Sequence, residues 1–202
     1  MKLGVFGGTF DPIHLGHLLM AETARESLGL SQVLFTPVGD PPHKQNNIIT
    51  PARHRRAMTE LAIQDNPGFA LCTVDLDRPG PHYTADTIRL IRRQYGLAAA
   101  DFYFIIGGDS LRDLPTWNRP TELVSVCRLA VIHRPGSRPD VAELSKQIDG
   151  LSESLVWVEM PLSGLSSTKI RAGASRGQSI RYQTPEPVRA YIEQRGLYKL
   201  AR

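Results

Sequence analysis

The chain has 202 residues, a formal net charge of +4, 41% hydrophobic and 22% charged residues, the proportions of an ordinary folded domain with a sizeable core. Its two cysteines, Cys72 and Cys127, lie in or beside apolar runs and form no CxxC pair, which argues against a disulfide framework or a zinc knuckle. The apolar run behind Met1 is too short for a secretory leader, and no later run approaches membrane-spanning length, so a cytoplasmic protein off the membrane is expected.

The charge is uneven: residues 166–202 carry a net +6 and the first 165 residues a net −2. A basic end suits nucleic acid, a solvated helix face or a phosphate site. Few aromatics are interleaved with these charges, which argues against nucleic acid.

In chain order, residues 3–6 (LGVF) read as a first strand, short and continuously apolar. GGTFDPIHLGHL follows at 7–18 and hands over to a helix predicted at 15–28, with Gly29 at its end. This loop matches neither GxxxxGK[ST] nor GxGxxG. Gly7 and Gly8 permit close backbone approach, Asp11-Pro12 makes a turn, and His14 and His17 share one face of a helix start. Helix N-termini attract anions and imidazole N–H groups add donors, so a phosphate role competes with a plain tight turn carrying two histidines. Zinc binding through HxxH would need further ligands, and none is suitably spaced.

A second strand is predicted at 33–36, then a long turn-rich loop over 36–47 whose segment 39–49 has the composition of a mobile lid. A helix over 51–65 starts at Pro51, a good first-turn residue. Strand 70–74, loop 76–82, helix 84–95 and strand 102–106 follow, then strand 129–132, helix 139–149 and strand 155–158. This alternation predicts right-handed βαβ units in a mostly parallel, doubly wound Rossmann-like sheet. One domain over 1–202 is expected, with a helical C-terminal part from about 163, helical at 167–174 and 187–194.

Leu165 to Arg171 read LSSTKIR. Ser166 or Ser167 is a suitable N-cap, and Thr168, Lys169 and Arg171 would make the helix start either an anion cradle or simply a capped basic helix. Two such helix starts, about 150 residues apart in the chain, suggest a ligand with several phosphates held from both sides.

With HLGH at 14–17 and SSTKIR at 166–171, the chain resembles the HxGH nucleotidyltransferase superfamily. Within it, the chain is most similar to the bacterial nicotinate-nucleotide adenylyltransferase family. PPHK at 41–44, GPHYTADT at 80–87, IGGDS at 106–110 and LPTW at 114–117 carry the likeness along the whole length.

The resemblance implies transfer of the adenylyl group of ATP to nicotinate mononucleotide, with Mg²⁺ arriving on the nucleotide. It implies ATP lying across Gly7, Gly8, Thr9 and Phe10, with His14 and His17 on its phosphates. Ser166, Ser167, Thr168 and Arg171 would hold the same phosphates from the far side. Lys44 would reach into that pocket, and Gly107 and Asp109 would meet the nucleotide; Asp109 is also a candidate N-cap for a helix starting at Ser110, and the two roles are compatible. Catalytic roles fall on His14, His17, Lys44 and Arg171, with no metal-ligating residue. Trp117 would stack on the pyridine ring, and the helix start at Tyr83 and Thr84 would meet its carboxylate, which also favours acid over amide. His82 stands where a small residue such as serine is expected.

The implied partners are small molecules, without nucleic acid or membrane, and assembly into a homo-oligomer is left open. A sister enzyme for the amide mononucleotide or phosphopantetheine is an alternative reading. So are a fragment of a class I aminoacyl-tRNA synthetase and a nucleotide-binding module without turnover.

Overall fold

The apolar runs alternate between two faces because each strand is covered on both. The computed structural model describes residues 1–39, 49–133, 139–161 and 164–199. In chain order it contains β1 (Leu3–Gly8), α1 (Leu15–Leu28), β2 (Gln32–Pro37), α2 (Ala52–Ile63), β3 (Phe69–Leu71), α3 (Thr84–Tyr95) and β4 (Phe102–Gly107). There follow α4 (Gly108–Asp113), α5 (Pro120–Val126), β5 (Arg128–His133), α6 (Val141–Ser145), α7 (Leu151–Ser154), β6 (Leu155–Glu159), α8 (Ser167–Ser175) and α9 (Glu186–Gln194).

All strand pairs are parallel and the order is β3-β2-β1-β4-β5-β6. Val5 pairs with Leu34 on one side and Phe104 on the other. Phe6, Phe35, Ile105 and Ile132 bury against α1, α2, α8 and α9 through Ala24, Met58, Ile170 and Ile192. Val5, Leu34, Phe104 and Val131 bury on the opposite face with Ile88 and Ile91 of α3 and Leu123 of α5. A fully buried Phe35 alone contributes about 1.5–3 kcal/mol. The C-terminal helices thus share the core of α1 and α2.

Gly29 and Gly96 end α1 and α3 in the left-handed conformation, φ 62° and 64°, which glycine adopts without steric cost.

Four expectations shift. The strand expected at 70–74 is Phe69–Leu71, because Thr73 starts a turn in which its carbonyl accepts from Leu76 and Asp77 N–H and its hydroxyl donates to Asp77. The helix expected over 139–149 covers Val141–Ser145 only, and a second short helix begins after Gly150, at φ 78°. Pro120–Val126 is helical although no helix was expected there, with Pro120 in its first turn. Cys127 is buried as expected but Cys72 is half-buried.

The order reverses between β1 and β4. The chain leaves β1 toward β2 and β3, and leaves β4 toward β5 and β6, so a crevice opens at the carboxyl ends of this pair.

Candidate active site

Gly7 and Gly8 of β1 and Gly107 of β4 form the floor of that crevice. Three adjoining cavities make a trough above them. The first, of about 440 Å³, is walled by Thr9, Phe10, His17, Thr84, Asp109 and Trp117. The second, of about 650 Å³, shares Thr9, Phe10 and His17 and is closed by His14, Ser166, Ser167, Thr168 and Arg171. The third, of about 310 Å³, joins His14, Gly107 and Asp109 to Gly108, His133 and Met160. Residues from positions 7 and 171 of the chain therefore meet in one place. Lys44 lies outside the described residues, as does most of the segment 39–49 read as a lid.

The two histidines organise the start of α1. His14 occupies the N-cap with extended backbone, φ −143°. Its Nδ1 accepts the N–H of His17 at 3.3 Å, and the Nδ1 of His17 accepts the N–H of His14 at 3.2 Å, a reciprocal cap. The rings stack with centroids 3.6 Å apart and 16° between planes. Because each Nδ1 is an acceptor, the proton of each neutral ring sits on Nε2. Burial lowers the His14 pKa to about 4, so at neutral pH this ring is an uncharged donor. His17 stands edge-on to Phe10, 5.2 Å and 89°, and to Phe6, 5.9 Å. These rings leave His17 little freedom to turn.

Across the trough, Ser166 takes the N-cap position of α8 in extended backbone but makes no side-chain cap bond. Ser167 Oγ instead donates to the carbonyl of Pro12 at 2.9 Å, and Arg171 Nη1 to that of Asp11 at 2.7 Å. These two side chains bind α8 to the histidine loop as well as lining the cavity. The first N–H groups of α8 have no partner within the helix, and the residues that carry the helix start, Ser166, Ser167 and Thr168, line the same space. Lys169 is exposed and does not line the trough; at 100° per residue it lies about 200° round the helix from Arg171.

On the other flank, Trp117 follows a 3-10 turn, Leu114–Thr116, and its indole is half-buried edge-on to Phe104 at 6.2 Å. Tyr83 is the N-cap of α3 and Thr84 its first residue; Thr84 faces the cavity and Tyr83 stands just outside its wall. Beneath them, the buried carboxylate of Asp75 accepts from Arg78 Nη2 at 2.7 Å and Thr87 Oγ at 2.8 Å. His82 is buried, and its Nε2 donates to the carbonyl of Arg78 at 3.1 Å. The histidine that stands where a small residue was expected therefore packs the rim from within.

Asp109 does not cap a helix at Ser110. The helix starts two residues earlier, at Gly108, with Gly107 as cap, and Asp109 stands exposed in its first turn beside Arg112. It borders two of the cavities.

Two residues of this region, Arg55 and Tyr198, escaped the sequence reading, and Asp11 was read there only as part of a turn. Arg55 is 1% exposed beneath the loop. Asp11 is buried, its carboxylate accepting from Tyr198 Oη at 2.7 Å and the Thr50 N–H at 3.1 Å. Tyr198 is held far above its usual pKa, first by burial and then by Asp11. A signal for Arg55 did exist: it occupies the apolar stripe of α2, three and four residues before Met58 and Thr59.

Among the described residues no group of three His, Cys, Asp or Glu side chains could hold a metal ion, and no helix is long and apolar enough to cross a membrane. Burial raises both thiols, that of Cys127 to about 12.

The cytidylyltransferase-like family model matches residues 5–173. A relative from Thermomicrobium roseum, described as "Probable nicotinate-nucleotide adenylyltransferase", is 46% identical, covering 98% of this chain and 92% of the relative. One of the same description from Roseiflexus sp. is 44% identical, covering 98% of each. The fold is also that of the solved Plasmodium falciparum nicotinic acid mononucleotide adenylyltransferase complexed with NaAD. That likeness has a TM-score of 0.77 at 19% identity, covering 98% of this chain and 97% of the other.

Proposed function

The chain belongs to the nicotinate-nucleotide adenylyltransferases within the cytidylyltransferase-like family, and we propose that its trough joins ATP to nicotinate mononucleotide, giving nicotinate adenine dinucleotide and pyrophosphate in NAD biosynthesis. One observation carries the reading. Two helix starts, α1 with its stacked histidines and α8 with Ser166 to Arg171, face each other across a cavity that opens onto Trp117 and the start of α3.

In this reading the triphosphate lies between α1 and α8. The Nε2–H groups of His14 and His17, the first N–H groups of α8 and the Arg171 fork donate to its oxygens. The pyridine ring stacks on Trp117, and its carboxylate meets the N–H groups at the start of α3, where the helix dipole favours an anion. The phosphate of the mononucleotide attacks the α-phosphorus of ATP, the bond to the bridging α–β oxygen breaks, and pyrophosphate carries away the electron pair. No covalent enzyme intermediate is required, and the two thiols, both raised in pKa by burial, offer no nucleophile. Positioning and charge stabilisation carry the rate. Mg²⁺ enters as part of the ATP substrate.

Pyrophosphate release tests the assignment, with ATP and either nicotinate mononucleotide, its amide or phosphopantetheine as acceptor. Turnover is expected with the first, slower with the amide and absent with the third. No release with any acceptor refutes the enzyme.

A further inference from the structure

Arg55 occupies a place where an arginine is strongly disfavoured unless its donors are satisfied. It stands on the buried stripe of α2 with Met58, Thr59 and Ile63. Its Nε donates to the carbonyl of Thr50 at 2.9 Å, its Nη1 to those of Thr9 at 2.9 Å and Val38 at 2.6 Å, and its Nη2 to that of Gly39 at 3.0 Å. Burial works against its charge and the nearby Asp11 favours it.

These carbonyls belong to three separate segments. Thr9 is in the loop that walls the phosphate cavity, Val38 and Gly39 form the exit of β2, and Thr50 leads into α2. Gly39 continues the chain of contacts. A Cβ there would come within 2.4 Å of the Asp75 carbonyl oxygen and 2.9 Å of the His82 ring, so the exit of β2 lies directly on the rim of the Trp117 cavity. Asp75 is in turn fixed to α3 through Thr87. One guanidinium thus links the phosphate loop to the mononucleotide rim.

We propose that Arg55 is a positioning residue for adenylyl transfer, setting the separation between the phosphate loop and the rim so that acceptor phosphate and α-phosphorus meet in line. The inference rests on the adenylyl-transfer reading above. A planar fork holds carbonyls in several directions at once, whereas a lysine is a point donor on a flexible stem. A misplacement of about 1 Å between reacting groups costs roughly 10²-fold in rate.

The test compares Arg55→Lys and Gly39→Ala with the wild type in steady-state pyrophosphate release, with the folded fraction at assay temperature measured by circular dichroism. The kcat per folded molecule is expected to fall about 30- to 100-fold in Arg55→Lys and about 10-fold in Gly39→Ala, while both KM values stay within about threefold. Three results overturn the proposal: wild-type kcat in both variants, a loss that only follows the folded fraction, or a rise in KM at unchanged kcat. If Arg55→Lys does not fold, Gly39→Ala decides alone. A wild type that releases no pyrophosphate is a failure of the activity itself, visible before any variant is compared, and the proposal falls with it.

Discussion

His14 and His17 cap the same helix through each other: each Nδ1 accepts the other's backbone N–H, and the rings stack 3.6 Å apart. The pair is at once a helix cap and, through Nε2, a pair of neutral donors. Cap and donor functions can be separated by substitution.

His17→Gln keeps an N3 side chain able to bond the cap N–H, so it should cost little stability. It loses the imidazole donor, and kcat should fall about 10²–10³-fold. His17→Ala should lose the same activity and about 1 kcal/mol of stability besides. Steady-state kinetics and urea unfolding on both variants check this; a glutamine variant with most of the wild-type kcat would remove His17 from the reaction.

The His14 pKa near 4, against 6.5 unfolded, makes stability depend on pH. Above the unfolded value both states carry a neutral ring and the contribution is complete. As pH falls through 6.5 toward 4 the unfolded chain takes up a proton that the folded one refuses, so stability is lost in that window. Between pH 7 and 4.5 the loss is about 2–3 kcal/mol. His14→Asn, which can still cap but does not titrate, should show a urea midpoint flatter over this range. Equal slopes for the two proteins would contradict it.

Tyr198 closes the loop from the far end of the chain. It adopts φ 65°, uncommon for a residue with a Cβ, and donates to Asp11 Oδ1 at 2.7 Å. Tyr198→Phe leaves a buried carboxylate short of one donor and should cost about 1–3 kcal/mol in chemical unfolding. A variant as stable as wild type would show the bond to be dispensable.

The sheet was legible because its strands are covered on both faces and so read as short apolar runs between amphipathic segments. The histidine and SSTKIR helix starts were legible because cap residues and donors cluster locally. Short helices such as Pro120–Val126, opened by a proline that also reads as a breaker, were not. Arg55 and Tyr198 escaped for another reason: their partners Thr9 and Asp11 lie 46 and 187 residues away. The stripe position of Arg55 could mark it as buried but not what it binds, and a tyrosine near the C-terminus looks solvated until the fold brings that carboxylate to it. Lys169, adjacent to Thr168 in sequence, shows the converse, since helical rotation carries it away from the trough.

Trp117 lines the cavity, with its indole in a T-shaped contact with Phe104. Trp117→Ala should raise the KM for nicotinate mononucleotide about 10-fold or more through lost stacking, while the KM for ATP changes little. Initial rates with each substrate varied in turn decide this, and equal rises in both constants would point to a collapsed site instead.

The central claim is that ATP is cut between its α and β phosphates and that the adenylyl half is captured by the mononucleotide. The most direct measurement follows two labels through the wild-type enzyme with nicotinate mononucleotide, one on the α-phosphorus of ATP and one on the γ. The α label should appear in nicotinate adenine dinucleotide and the γ label in pyrophosphate, in equal amounts. An α label recovered in ADP with the γ label in orthophosphate, or no transfer of the α label at all, would contradict the account.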